Sequence, residues 1–239
     1  MIIPPALAQE PVIFDFCYEN KALLPYYVGD GDTVPDKNPG LNITTLRALD
    51  DNMAQITIRY WRKPWKHCLS SIESGKFSGV IASYYKGREA IGIYPKSEGK
   101  LDTQRKFGSA NYCLYKSQDS LLDWNGLYFT GTGFSPVAVP RGYSIINKLK
   151  FEKLMYFEVK SSEMGFNLLS HNRVAGVVTL CEVGKRLILN QPDVYGHFIE
   201  DQPVLVKKSA YLMISKPFYR KNPQLTEQIW NTMAALNKQ

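Results

Sequence analysis

The chain has 239 residues, of which 44% are hydrophobic and 21% are charged, and its formal net charge is +7. This composition is typical of a folded globular protein and excludes a disordered chain, and no apolar run is long enough to span a bilayer. The positive charge raises the question of a nucleic-acid partner, but the basic residues are scattered and form no recognisable binding module.

The first eight residues have the features of the end of a secretory signal peptide. They finish in Ala6-Leu7-Ala8, a small-residue pattern typical of a cleavage site. The basic region and most of the apolar region of such a signal are missing, and the alternative is an accidental run of small residues. We predict that residues 1–8 are a signal remnant and that the mature chain begins near Gln9.

The first half of the chain alternates between strand and helix patterns. Apolar, β-branched and aromatic runs predict strands, apolar residues at helical spacing predict helices, and a proline suits a helix start. The predicted strands are residues 11–18, 56–61 and 77–83, and the predicted helices are residues 41–53 and a segment from Pro64 to Gly75. Strands joined through helices by short connections indicate a parallel sheet.

The same alternation recurs in the second half, with predicted strands at 111–115, 137–139, 155–159 and 174–180 and predicted helices at 144–154 and 163–171. A further strand at 210–215 and an amphipathic helix at 223–236 are also predicted, and the second unit is complete without them. They would complete the first unit if the chain crossed back. We therefore predict a discontinuous lobe 1, residues 9–108 and 207–239, and an inserted lobe 2, residues 109–206.

Four cysteines allow three disulfide pairings. The pairs Cys17 with Cys68 and Cys113 with Cys181 would each fall within one predicted lobe, whereas four buried free thiols are the alternative. No two cysteines form a CxxC motif and the three histidines lie far apart, which argues against a zinc site. The sequence indicates no cofactor.

Four segments in this order resemble one known family, the extracellular solute-binding proteins of the polar amino-acid type that serve ABC importers. They are residues 39–41 leading into a helix, 64–69 followed by 75–81, 137–144, and 210–218 with the terminal helix. The resemblance implies an α/β, type II periplasmic-binding-protein-like fold of two lobes. Each lobe would be a mixed sheet flanked by helices, with a ligand cleft between them that closes by hinge motion.

The turn Gly142-Tyr143-Ser144 lies between a predicted strand and a predicted helix. Amides at a helix N-terminus and a capping hydroxyl can hold an anion, and Arg141 could add a charge-assisted contact. In the family that this chain resembles, the turn receives the ligand's carboxylate. From the residues alone, Ser144 could equally be an ordinary helix cap.

Two aromatic residues and one arginine are further candidates. Trp65 matches the position at which the family places a ring against the ligand, although core packing of its helix is the alternative; Tyr26 is a second possible wall. Arg88 follows the third strand closely, with Ser83 at the strand end. The resemblance implies that an arginine there binds the carboxylate, although the loop is shorter here and exposed arginines are usually solvated.

The chain departs from the family at one position. Amino-acid binders of this type carry an acid after the last strand of the second lobe, where this chain has Leu180. Glu182 could substitute if the register were shifted. Without it a ligand ammonium would be buried unpaired, which is costly and argues against a standard amino acid. The expected ligand is a small polar molecule with an anionic group, an amino acid or a related organic anion.

These patterns predict a solute-binding protein and not an enzyme, because no nucleophile motif or acid–base pair stands out. The expected partners are a small polar ligand with a carboxylate or other anionic group and an ABC permease, with no nucleic acid and no membrane insertion. We expect a periplasmic monomer. The alternatives are an enzyme on the same scaffold, such as a dehydratase, and a ligand sensor without transport.

Overall fold

The computed structural model describes residues 10–131, 133 and 135–237, so the predicted signal remnant lies outside the described residues. Within these residues, two mixed sheets are flanked by eight α-helices: α1 Leu41–Asp51, α2 Trp65–Ser74, α3 Ile146–Phe151, α4 Ser162–Ser170, α5 Cys181–Asn190, α6 Pro192–Tyr195, α7 Lys216–Lys221 and α8 Pro223–Leu236. Two short 3-10 segments, Lys86–Ala90 and Thr103–Arg105, accompany them. No helix in this part of the chain is long and apolar enough to cross a membrane.

The first sheet has strand order β2-β1-β3-β15-β4, with β7 also paired to β15. Its strands are β1 Val12–Glu19, β2 Ile56–Lys63, β3 Gly79–Ser83, β4 Gly92–Ile93, β7 Gly108–Ser109 and β15 Ser209–Ser215. β1 pairs in parallel with β2 and β3, whereas β15 is antiparallel to β3. The sheet therefore combines strands from both ends of the chain. Trp230 of α8 fixes this return, because its buried Nε1 donates to the carbonyl of Leu212 in β15 at 2.7 Å.

The second sheet has strand order β12-β11-β13-β8-β14. Its strands are β8 Tyr112–Ser117, β11 Val137–Pro140, β12 Tyr156–Val159, β13 Gly176–Leu180 and β14 Phe198–Glu200. β11 runs parallel to β12 and β13, and β8 runs antiparallel to β13 and β14. The remaining described strands form two small hairpins outside these sheets. β5 Lys96–Ser97 pairs with β6 Lys100–Leu101, and β9 Asp123–Trp124 pairs with β10 Phe129–Thr130.

Two segments connect the sheets and lie side by side. The amide of Ala110 donates to the Lys208 carbonyl at 2.8 Å, and the amide of Tyr112 donates to the Val206 carbonyl at 2.8 Å. We call the part of the chain that carries the first sheet lobe 1, and the part that carries the second sheet lobe 2. The residue bounds predicted for the lobes stay a prediction.

The structure differs from the sequence-based prediction at three places. The helix expected over 144–154 spans only Ile146–Phe151, and its end coincides with a left-handed φ of 56° at Lys153. Pro64 is the residue before α2 and not its first helical residue. Helix α5, which follows β13 without a connecting loop, was not predicted at all.

The four cysteines form two disulfides, Cys17–Cys68 and Cys113–Cys181. The alternative of four free thiols is therefore wrong. Each disulfide joins a strand to a helix that packs against that strand: Cys17–Cys68 joins β1 to α2, and Cys113–Cys181 joins β8 to α5.

Gly40 is required at the start of α1. Its φ is 103°, and a Cβ there would lie 2.3 Å from the backbone oxygen of Tyr26. We expect Gly40→Ala to lower the free energy of unfolding by about 2 kcal/mol, because left-handed strain and a backbone clash combine. Gly31→Ala is the control, since Gly31 also has a positive φ of 90° but nothing within 4 Å of its Cβ position. Equal losses in urea unfolding of the two variants would contradict the clash.

Candidate ligand-binding site

A cavity of ≈ 250 Å³ lies where both sheets end. β1 and β3 of the first sheet end at Glu19 and Ser83, and β13 of the second ends at Leu180; all three residues line the cavity. In open α/β sheets the carboxyl ends of parallel strands are where ligands bind. The aliphatic and aromatic part of the lining is Leu23, Tyr26, Tyr27, Leu41, Trp65, Ile81, Ala82, Phe107, Ala110, Tyr112, Tyr143, Leu180 and Ala210.

Two aromatic walls come from lobe 1. Trp65 is the first residue of α2 and Tyr26 lies in the loop after β1, and both are half-buried in the cavity lining. The Tyr26 loop is held against α1, because the amide of Asn42 donates to the Tyr26 carbonyl at 3.2 Å. The structure therefore brings both predicted aromatic residues to the cavity, while Trp65 also packs against the apolar core.

Arg88 reaches the cavity and connects the lobes. Its side chain is only 2% exposed. One Nη donates to the Ser83 carbonyl at 2.7 Å, and the other donates across the cleft to the Gly142 carbonyl at 3.2 Å. The guanidinium carbon also lies 4.8 Å from the centre of the Tyr85 ring. A solvated, exposed Arg88 is thus excluded by its burial and its two carbonyl partners.

A group of hydroxyls joins Ser83 of lobe 1 to Ser144 of lobe 2. The two Oγ atoms are 2.8 Å apart, and the Tyr112 hydroxyl lies 3.3 Å from Ser144 Oγ. Lys208 Nζ donates to Ser144 Oγ at 3.1 Å. Burial, together with the charge of Arg88, lowers the pKa of Lys208 to about 8. Ser144 is not a helix cap, because α3 begins at Ile146 and has no side-chain cap.

Gly142 is a second close contact between the lobes. Its carbonyl accepts from Trp65 Nε1 at 3.3 Å as well as from Arg88. Its φ is 77°, and a Cβ there would lie 3.2 Å from both Trp65 Cδ1 and Lys66 Cγ. Nearby, Lys66 Nζ lies 3.0 Å from Glu158 Oε2 of lobe 2, an ion pair without hydrogen-bond geometry.

Glu19, at the end of β1, is a buried acid that the sequence analysis missed. The Tyr143 hydroxyl of lobe 2 donates to its Oε2 at 3.2 Å. Burial raises the pKa of Glu19 to about 7, and the hydrogen bond from Tyr143 opposes that increase only in part. The cavity thus has a carboxyl group, although it comes from lobe 1 and not from the position of Leu180.

Two predicted site residues lie elsewhere. Arg141 is exposed and is not part of the cavity lining. Glu182 is also exposed, because it is the second residue of α5 and its carboxylate lies 3.4 Å from Lys185 Nζ of the same helix. No shift of register brings Glu182 inward, since Leu180 itself lines the cavity. The other predicted residues, Tyr26, Trp65, Ser83, Arg88, Tyr143 and Ser144, line one cavity, with the Gly142 carbonyl at its edge.

No model of a known protein family matches the chain, and no curated protein matches it. Solved structures do. A histidine kinase sensor domain with similarity to periplasmic binding proteins has a TM-score of 0.74 and 13% identity, over 95% of this chain and 90% of the other. An ancestral arginine-binding protein bound to arginine has a TM-score of 0.73 and 14% identity, over 96% of this chain and 94% of the other.

A third similar structure is the GluR0 ligand-binding core of Nostoc punctiforme in complex with L-glutamate. Its TM-score is 0.65 and its identity 15%, over 93% of this chain and 97% of the other. At these identities the likeness establishes the fold. The chain has the two-lobed α/β fold of the periplasmic binding proteins, which confirms the fold that the sequence resemblance implied.

Proposed function

We propose that this chain is a receptor that binds a small charged metabolite between its lobes and performs no chemistry on it. The observation that carries the proposal is the cavity itself, which lies at the carboxyl ends of strands from both sheets and has charged groups from lobe 1 facing hydroxyls from lobe 2. Its volume of ≈ 250 Å³ is below that of sites for drug-sized molecules.

The polar groups of the cavity suggest a ligand that carries an anionic group at one end and an amine at the other. An anionic group of the ligand would bind beside Arg88, Ser83 and Ser144, because the positive charge of an arginine and the hydroxyl donors stabilise negative charge. Glu19 and the Tyr143 hydroxyl would receive an amine, since an ammonium placed there would keep the buried carboxylate ionised. The sequence alone suggested that no acid was available for an ammonium. Glu19 supports the opposite view, so an amine-bearing ligand is part of this proposal.

The wall residues provide the test. A thermal-shift screen of amino acids, organic acids, phosphorylated metabolites and polyamines should give a stabilising compound. We expect Trp65→Ala to raise the dissociation constant of that compound by about tenfold or more, because buried aromatic walls dominate binding. The matched control is Trp61→Ala, since Trp61 is 41% exposed and lies outside the cavity lining. Equal losses in the two variants, measured by calorimetry, would contradict the site, and turnover of the compound would favour an enzyme.

The biological setting of the receptor depends on its compartment. The two disulfides support export to an oxidising compartment such as the periplasm. Delivery of the ligand to an ABC permease by the monomer is the first role we propose. Sensing is the second, and it is favoured by the likeness to a histidine kinase sensor domain. Loss of ligand uptake after deletion of the gene would support transport, whereas unchanged uptake would favour sensing.

A further inference from the structure

Arg88 lines the anionic end of the cavity, and Lys208, which is outside the lining, contacts that end through Ser144, because its Nζ donates to Ser144 Oγ at 3.1 Å. The two cations affect one another, since burial and the charge of Arg88 together lower the pKa of Lys208. The polar contacts of both side chains in the described ranges are to uncharged groups: Arg88 donates to Ser83 and to the Gly142 carbonyl, and Lys208 donates to Ser144. Within those ranges neither cation forms an ion pair with a carboxylate.

Lys116 shows how this fold otherwise buries a lysine. Its Nζ lies 2.9 Å from a carboxylate oxygen of Asp123 and 2.9 Å from one of Asp201. These two acids raise the pKa of Lys116 in spite of its burial. Lys208 has no such compensation among the described residues, and the Nε of buried Arg88 has no hydrogen-bond partner there either. Arg88 is buried and Lys208 is half-buried, and the Tyr85 ring lies 4.8 Å and 5.7 Å from their charged groups. Charge that is removed from water without an opposite charge beside it is costly, which points to a partner that the chain itself does not supply.

The number of charges distinguishes possible partners. A carboxylate would neutralise one of the two cations and leave the other uncompensated. A phosphate monoester carries about −1.5 to −2 charge at pH 7 and presents three acceptor oxygens. A phosphonate presents the same three oxygens and reaches the dianionic state at a somewhat higher pH. Ser83, Ser144 and Tyr112 supply hydroxyl donors at the same place, so both the charge and the hydrogen-bonding capacity match such a group.

We propose that the anionic end of the cavity takes a phosphate monoester or phosphonate dianion, and that Lys208 selects this group over a carboxylate. The inference rests on the proposed function, because it names the ligand class of the same site. It differs from what the arginine- and glutamate-bound structures contain, since their ligands carry carboxylates. Arg88 would supply the first positive charge for either class, and Lys208 the second for the dianion.

The test uses ligand pairs that differ in the anionic group. We would measure binding of L-phosphoserine against L-glutamate, and of methylphosphonate against acetate as minimal probes, by calorimetry and thermal shift at constant ionic strength. The phosphorus compound of each pair should bind at least about tenfold more tightly. Lys208→Met should weaken binding of the phosphorus compound much more than binding of the matching carboxylate, and so remove most of that difference. Lys207→Met, at the exposed neighbouring position, should change neither.

Carboxylates that bind as tightly as their phosphorus partners would overturn the proposal, and so would equal losses for both classes in Lys208→Met. Failure of both phosphorus probes while another compound binds in a Trp65-dependent manner would reject the dianion site but keep the receptor. If no compound of any class binds, the receptor function itself fails. Thermal unfolding of both lysine variants checks that the fold is retained.

Discussion

Glu19→Gln is expected to stabilise the ligand-free protein by about 3 kcal/mol at pH 8 and to have little effect near pH 4.5. Burial raises the pKa of Glu19 from 4.5 to about 7. Between these values the folded chain holds a proton that the unfolded chain has released, so stability falls as the pH rises and the full penalty is present above pH 7. Glutamine removes the penalty and can still accept the hydrogen bond from Tyr143.

The measurement is urea unfolding of both proteins from pH 4.5 to pH 8, with the difference in unfolding free energy plotted against pH. Glu73→Gln is the control, because Glu73 is exposed on α2, and its difference should stay flat. A Glu19→Gln difference that is constant with pH would show that folding does not raise the pKa of Glu19. Such a result would also remove the reason to expect a proton to be released when an amine binds there.

The same titration links Glu19 to function. The groups that face it are the hydroxyl of Tyr143 from lobe 2 and the neighbouring Tyr27. Among the described residues no cation forms an ion pair with it. A ligand amine would supply that cation and lower the pKa of Glu19. Affinity for such a ligand should therefore increase as the pH rises through about 7, and this increase should be absent in Glu19→Gln.

Much of the fold could be predicted because each element has its own local pattern. The strand containing Phe14 and Phe16 and the terminal helix containing Trp230 were identified from apolar spacing alone. Ser83 was identified as a candidate beside Arg88 through the family resemblance, and Ser144 through that resemblance and its place between a predicted strand and a predicted helix. The structure brings their hydroxyl oxygens to 2.8 Å from each other. Their role in binding stays a proposal.

Glu19, which lines the cavity, and Lys208, which contacts it through Ser144, could not be identified because their environments depend on the tertiary structure. Glu19 is one of 22 acidic residues and Lys208 one of 29 basic residues, and neither stands in a motif. Glu19 becomes distinctive only when Tyr143 of the other lobe covers it, and Lys208 only when the returning strand places it beside Ser144. Position at the end of β1 was the only local signal for Glu19. Glu182 was misjudged for the converse reason, because α5 begins directly after β13 and leaves that side chain outside.

The two disulfides lie beside segments that line the cavity. Cys17 lies two positions before Glu19 in β1, and Cys68 lies three positions after Trp65 in α2. In lobe 2, Cys113 and Cys181 directly follow Tyr112 and Leu180. Each bridge therefore joins two segments that line the cavity.

We expect the loss of either bridge, as a double Cys→Ser variant, to lower the free energy of unfolding by about 4 kcal/mol, since each closes a long loop in the unfolded chain. The bridged cysteines are 51 and 68 positions apart. Denaturant unfolding measures the loss, and a reducing agent should destabilise the natural chain but not a variant without cysteines. Because the bridges adjoin the cavity walls, affinity for the ligand should also fall while the protein is still folded. Lower stability with an unchanged dissociation constant would show that the bridges act through the unfolded chain alone. Packing of β1 on α2 and of β8 on α5 would then be sufficient to position the residues that line the cavity.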